Sequence, residues 1–155
     1  MVGLESMKPE EMLLLEKQLC FQLYVTAKEI VNAYRPYLNP LNLTYTQYIV
    51  MMALWQYKDM SVKELGKVIQ LDSGTLTPLL KKIEAKGYLK RKRSKKDERV
   101  VIVVLTEKGI ALREDALCVP VQMTELAKNF TYDDAVELKR LLKKLQDSIE
   151  HLEEG

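Results

Sequence analysis

The chain has 155 residues, 47% hydrophobic and 30% charged, with a formal net charge of +2. This is the composition of one ordinary globular domain, and it excludes the disordered and low-complexity classes. No apolar run approaches the ~20 residues needed to span a bilayer, and the N-terminus lacks the basic-then-apolar order of a secretory leader, so a cytoplasmic location away from membranes is expected.

In chain order, Pro9-Glu10-Glu11 predicts the start of a long helix, since proline is tolerated in a first turn and acidic residues face the positive dipole end. This helix is expected to reach about Tyr34, where Pro36 ends it and Pro40 prevents a restart. Thr44-Tyr45-Thr46-Gln47 is a capping box before a second helix carrying Tyr48, Ile49, Met52, Leu54 and Trp55, which reads as core. Ser61-Val62-Lys63-Glu64 is another, and Leu65, Val68 and Ile69 supply its helix with an apolar stripe. After a turn near Gln70-Leu71, Asp72-Ser73 suits a new N-cap, and Leu76, Leu79, Leu80 and Ile83 repeat at helical spacing until Gly87 stops the helix. Two short helices joined by a tight turn form a helix-turn-helix.

Next, Tyr88 to Arg93 and Arg99 to Leu105 read as strands joined by the polar loop Ser94-Lys95-Lys96-Asp97-Glu98, which makes a wing. Thr106-Glu107 then starts a helix to about Ala127, bent at Pro120, and Thr131-Tyr132-Asp133-Asp134 caps a last helix to about Leu152. The expected fold is mainly α with a small β-wing (α+β). One domain would span 1–155, its winged helix-turn-helix at about 45–105 flanked by long helices at about 9–35 and 106–152.

From Lys81 to Arg99 there are ten Lys or Arg against Glu84, Asp97 and Glu98, a local net of +7 that leaves −5 on the rest of the chain. Such segregated charge beside a helix-turn-helix points to double-stranded DNA, whose phosphates it would hold in a salt-dependent way. Ser73, Thr75 and Thr77 would meet base edges in the major groove, or else act as caps or phosphate ligands. Lys81, Lys82, Lys95 and Lys96 read as backbone contacts, and Arg99 as a minor-groove contact whose guanidinium Asp97 holds in place.

The terminal helices carry apolar stripes, Leu13, Leu19, Cys20, Leu23, Ala27 and Val31 in the first and Leu138, Leu141, Leu142, Leu145, Ile149 and Leu152 in the last. They either pack within one subunit or, as preferred here, build a homodimer that sets two recognition helices on a pseudo-palindromic site about 34 Å apart. The two cysteines, Cys20 and Cys118, are too few for a disulfide framework. With a lone histidine, no phosphate loop and no nucleophile–base constellation, neither a metal, a cofactor nor an enzymatic reaction is expected.

Cys20, Tyr24, Ala27, Val31 and Tyr34 fall near one face of the first helix. A phenolic hydroxyl can stabilise a thiolate, the form that attacks peroxides, although a small core cysteine with packing tyrosines gives the same pattern.

The element order resembles the MarR family of winged-helix repressors. The segments Leu19-Cys20-Phe21-Gln22-Leu23-Tyr24, Tyr34-Arg35-Pro36, Leu43-Thr44-Tyr45-Thr46-Gln47-Tyr48, Leu71 to Leu79 and Asp97-Glu98-Arg99 are similar to those of the organic hydroperoxide resistance regulators. The resemblance implies a dimeric repressor released from operator DNA when organic hydroperoxides oxidise Cys20. It implies that Tyr34 and Tyr45 of the partner subunit hydrogen-bond the Cys20 sulfur and that Tyr24 lines the pocket. Cys118 is then either a resolving cysteine or an inert thiol, in which case a small cellular thiol caps Cys20. Rival readings are a repressor released by a phenolic ligand without thiol chemistry, a thiol peroxidase, and an architectural DNA-binding protein.

Overall fold

The computed structural model describes residue 8, residues 10–126 and residues 128–153, so the roles assigned to Pro9, to Ala127 and to the side chain of Leu152 lie outside the described residues. The chain divides into two compact units, one ending at Val119 and the other beginning at Pro120.

The first helix begins later than its sequence suggests. Glu11–Leu13 and Leu15–Lys17 are separate 3-10 turns, each closed by an extended residue, Leu14 at ψ 122° and Gln18 at ψ 108°. Continuous helix starts only at α1, Leu19–Leu38. Pro36 lies inside α1 rather than ending it. A proline near a helix C-terminus removes one N–H bond, and burial of Leu38, Leu41 and Leu43 in the core carries the chain past that loss.

The capping boxes form as the sequence dictates. In α2, Tyr45–Tyr57, the Thr44 N–H donates to Gln47 Oε1 at 3.1 Å, and the Gln47 N–H to Thr44 Oγ1 at 3.4 Å. In α3, Val62–Ile69, the Ser61 N–H donates to Glu64 Oε2 at 2.7 Å and the Glu64 N–H to Ser61 Oγ at 3.1 Å. Gln70 takes a left-handed conformation, the Leu71 N–H returns to the Gly66 carbonyl at 2.9 Å, and α4, Ser73–Ala85, follows. The helix-turn-helix is closed by fully buried Leu65, Leu76, Leu80 and Ile83, which join Val50, Met51 and Leu54 of α2 in one core.

At the end of α4, Gly87 (φ 79°) donates to the Glu84 carbonyl at 2.8 Å and Tyr88 to the Ile83 carbonyl at 3.4 Å. This is the Schellman pattern, which needs a residue tolerant of positive φ. The wing hairpin, β2 (Leu89–Arg93) and β3 (Val101–Leu105), begins at once, in register from Leu89↔Leu105 to Arg93↔Val101. Two features depart from the sequence reading. A two-residue strand β1, Met60–Ser61, pairs with the far edge of β3, giving the order β1-β3-β2. Arg99 belongs to the wing loop, because β3 starts two residues later.

Thr106 caps α5, Glu107–Ala116. The expected continuous helix to about Ala127 is interrupted at Leu117 and resumes as α6, Cys118–Leu126. Pro120 acts on the turn before it, since it has no N–H for the Ala116 carbonyl and its ring crowds that oxygen. The break therefore falls three residues ahead of the proline.

In the second unit, α7 (Tyr132–Glu153) is capped by Thr131 and Asp134, which exchange backbone-to-side-chain bonds of 2.8 and 3.2 Å. Its Val136, Leu138, Leu141, Leu142 and Ile149 are 36–50% exposed. On α1, Leu19, Phe21, Tyr24 and Ile30 are likewise exposed. Among the described residues, no helix is long and apolar enough to cross a membrane.

One contact fixes α5 against the start of the wing. A Cβ on Gly109 would lie 1.9 Å from the Tyr88 carbonyl oxygen, and the Trp55 indole N–H donates to the Gly109 carbonyl at 2.8 Å. Gly109→Ala would drive backbone from backbone, so it is expected to lower stability by at least about 2 kcal/mol. Urea denaturation checks this, and a midpoint equal to the wild type would refute the close approach.

Candidate nucleic-acid interface

The exposed side of α3, the N-terminal half of α4 and the base of the wing enclose a concavity of about 960 Å³. Its rim carries Lys63 and Lys67 of α3, Ser73 and Thr77 of α4, Arg91 of β2 and Arg99 of the wing loop, over an apolar floor that includes Val62, Leu71 and Leu80. The fold thus brings Ser73, Thr77 and Arg99 to one groove. Lys81, Lys82, Lys95 and Lys96 are exposed but outside its lining. Lys63 and Lys67 went unassigned in the sequence, although their i, i+4 spacing opposite the apolar stripe was a usable signal.

The hydroxyls at the start of α4 are engaged locally. Asp72 accepts from the Thr75 N–H at 2.9 Å and from its Oγ1 at 2.7 Å, and these bonds hold its carboxyl below the usual carboxylate range. Thr77 Oγ1 donates to the Ser73 carbonyl at 2.7 Å. Thr75 and Thr77 therefore offer oxygens as acceptors, with their protons already placed. The Asp72 charge also disfavours an anion at this helix N-terminus.

Two cations of the basic cluster turn inward. The Arg91 N–H donates to Glu84 Oε1 at 2.8 Å, while its guanidinium meets Glu84 Oε2 through Nε at 2.9 Å and Nη2 at 2.6 Å. These bonds from Arg91 hold the Glu84 carboxyl below its ordinary range and tie α4 to β2. Lys86 Nζ donates to the Asn42 carbonyl at 2.6 Å and to Gln47 Oε1 at 2.8 Å.

Asp97 does not grip the Arg99 guanidinium as the sequence suggested. Its Oδ1 accepts from the Arg99 backbone N–H at 3.0 Å, because a short carboxylate two residues earlier reaches the main chain first. Asp97 thus shapes the loop and leaves the arginine head unheld by it. Arg93 Nη1 adds a bond to the Glu98 carbonyl at 2.7 Å.

The thiol residues lie elsewhere. Cys20 is an exposed free thiol in the first turn of α1, and Tyr24, one turn on, is 64% exposed. Tyr34 packs on Tyr45 at a ring distance of 4.8 Å and on Tyr48 at 6.1 Å. Burial, then the neighbouring Tyr45, pushes the Tyr34 phenol up, so it stays a proton donor. The structure joins Tyr34 to Tyr45 but does not join either to Cys20 of the same chain, since fourteen residues of helix put Cys20 roughly 21 Å from Tyr34. Cys118 is also exposed and donates to the Asp115 carbonyl at 3.3 Å. After burial and Tyr34, it is among the groups that push the Tyr48 phenol up, a neighbour not named from sequence. Among the described residues, no group of three or more His, Cys, Asp or Glu could hold a metal ion.

The family described as transcriptional regulator SarA/Rot matches residues 32–116. The organic hydroperoxide resistance transcriptional regulator of Bacillus subtilis is 43% identical over 135 residues, 87% of this chain and 91% of that protein. Among solved structures, reduced AbfR of Staphylococcus epidermidis bound to DNA is 32% identical with a TM-score of 0.77, over 94% of this chain and 99% of that one. Disulfide-formed AbfR gives a TM-score of 0.59 at 32% identity, over 88% of this chain and 95% of that one. A mutant MarR from E. coli complexed with operator DNA is 31% identical with a TM-score of 0.76, over 82% of this chain and 92% of that one.

The Glu84–Arg91 pair has a pH signature. A carboxyl held below its ordinary value of 4.5 adds stability above that value and loses it as pH falls through the lowered one. With both side chains about a quarter to a third exposed, Glu84→Gln is expected to cost about 1 kcal/mol at neutral pH. The gap from wild type should narrow as the pH drops below 4.5, as urea midpoints along a pH series would reveal; a constant gap would show that the charge contributes nothing.

Proposed function

Because the chain belongs to the SarA/Rot family of MarR-like winged-helix transcriptional regulators, we propose that it is a homodimeric repressor that leaves its operator when organic hydroperoxides oxidise Cys20. The observation that carries the DNA half is the groove that sets Ser73 and Thr77 of α4 beside Arg99 of the wing and the lysines of α3. Ser73, Thr75 and Thr77 would read base edges in the major groove, Arg99 would enter the minor groove, and Lys81, Lys82, Lys95 and Lys96 would meet phosphates. DNA-bound AbfR and operator-bound MarR support this reading.

The many exposed apolar side chains on α1 and on α7 support a two-fold dimer, since large apolar residues left in water favour association. If two α1 helices cross antiparallel at Ala27, a small residue seven positions from both Cys20 and Tyr34, each Cys20 meets the partner's Tyr34–Tyr45 pair. A thiol stranded from these tyrosines within its own chain would then gain two phenolic donors from the other.

The switch follows from sulfur chemistry. The Cys20 thiolate attacks one peroxide oxygen, giving a sulfenic acid and releasing the alcohol after proton transfer. Cys118 of the partner then condenses with the sulfenic acid, forming a disulfide and expelling water; a small thiol does the same if Cys118 is inert. Either product is larger than the thiol, disturbs the phenol contacts and alters the spacing of the two recognition helices.

Cys20→Ser is expected to stay on its operator under one equivalent of cumene hydroperoxide that releases the wild type. Tyr34→Phe should bind DNA but oxidise several-fold more slowly, as read by intact mass over time. Peroxide release of Cys20→Ser equal to wild type would overturn the thiol mechanism, and release by a phenolic ligand instead would favour a ligand-operated repressor.

A further inference from the structure

Lys86 sits in the basic cluster by sequence but differs from its neighbours by position. Lys81, Lys82, Lys90, Lys95 and Lys96 are exposed, whereas Lys86 is half-buried at the C-cap of α4. Two of its three ammonium protons are engaged, at 2.6 Å on the Asn42 carbonyl and at 2.8 Å on Gln47 Oε1. Gln47 is itself buried, and the same oxygen accepts from the Thr44 N–H in the capping box that starts α2. The Lys86 carbonyl meanwhile accepts from Lys108 Nζ of α5 at 2.9 Å, and the Tyr88 hydroxyl reaches the Leu41 carbonyl at 3.1 Å.

We propose that Lys86 is a positioning residue for operator recognition, bracing the C-terminal end of α4 against the α1–α2 connection, and that it makes no phosphate contact. Reaching a phosphate would require breaking two charge-assisted bonds, one of them to a buried partner. What the brace governs is the angle of α4. Base readout depends on that angle because hydrogen bonds to base edges tolerate little displacement, while general attraction to a duplex depends on the number of free cations. The two acceptors of the brace, Asn42 and Gln47, flank Tyr45 in sequence, so it grips the segment that carries one member of the tyrosine pair. The inference rests only on the DNA-binding half of the proposed function and is independent of Cys20 chemistry.

The test uses the reduced full-length protein and two duplexes: one enriched by the wild type from a randomised pool, and a scrambled version of it. Lys86→Met keeps the aliphatic stem and removes the ammonium. It should weaken binding to the enriched duplex at least fivefold and leave the scrambled duplex within twofold. The slope of log affinity against log salt should stay at the wild-type value, whereas Lys82→Met should weaken both duplexes and reduce that slope by about one. Lys86→Arg should recover affinity for the enriched duplex, which a generic loss of packing would not predict. If Lys86→Met fails to fold, Lys86→Gln is read on the same quantities.

A slope reduced by about one, with both duplexes weakened, would make Lys86 a phosphate ligand and overturn the inference. Unchanged affinity for the enriched duplex would overturn it too. Failure of the wild type to enrich any sequence would instead sink the repressor reading, and the salt slope on an arbitrary duplex would still separate a brace from a phosphate contact.

Discussion

The arrangement of the DNA-facing elements depends on how Tyr88 is held. It is the single residue between the glycine that stops α4 and the first residue of β2, so its placement sets the relation of recognition helix to wing. Its carbonyl accepts from the Thr106 N–H at 3.1 Å and lies flush against Gly109, its hydroxyl donates to Leu41, and Lys108 Nζ stands 4.8 Å from its ring centre. Elements far apart in sequence converge on this one residue. Burial of its ring makes a shift of any of them costly, because close-packed interiors do not deform by small degrees.

Around this anchor, the basic charge is divided. Side chains at the wing tip and along the outer face of α4 are exposed and free to attract a polyanion at long range. Arg91 and Lys86 are held by internal partners and act on shape. A net charge counted along the sequence treats both kinds alike, although only the exposed cations are placed to meet a duplex directly. The threonine hydroxyls on α4 have their hydrogens already fixed by Asp72 and by the Ser73 carbonyl, which leaves their oxygens as acceptors.

The parts of the fold legible in the sequence are those decided within a few residues. The Thr44–Gln47 and Ser61–Glu64 boxes, the Asp72 cap and the Gly87 stop all rest on bonds spanning three to five positions. Strand β1 escaped notice because two residues carry no period, and they pair only once β3, some forty positions later, is in place. The helix starting at Leu19 rather than near Pro9 reflects two extended residues, Leu14 and Gln18, that composition does not mark. The inward turn of Lys86 was hidden for the reason that hid β1: its acceptors lie 39 and 44 positions away. In the thiol region, helix periodicity placed Cys20 and Tyr34 on one face, but a shared face of a rigid rod does not make a shared site.

Trp55 is the chain's one tryptophan, and its indole N–H ends on the Gly109 carbonyl, at the same place where α5 meets Tyr88. An indole is sensitive to its hydrogen-bond partner and to the polarity around it. Its ring also lies 6.3 Å from Tyr48, edge-on to the tyrosine cluster. The molecule therefore holds a single indole at the seam between its aromatic cluster and α5. Its emission reports on that seam without a label, and no second indole obscures it.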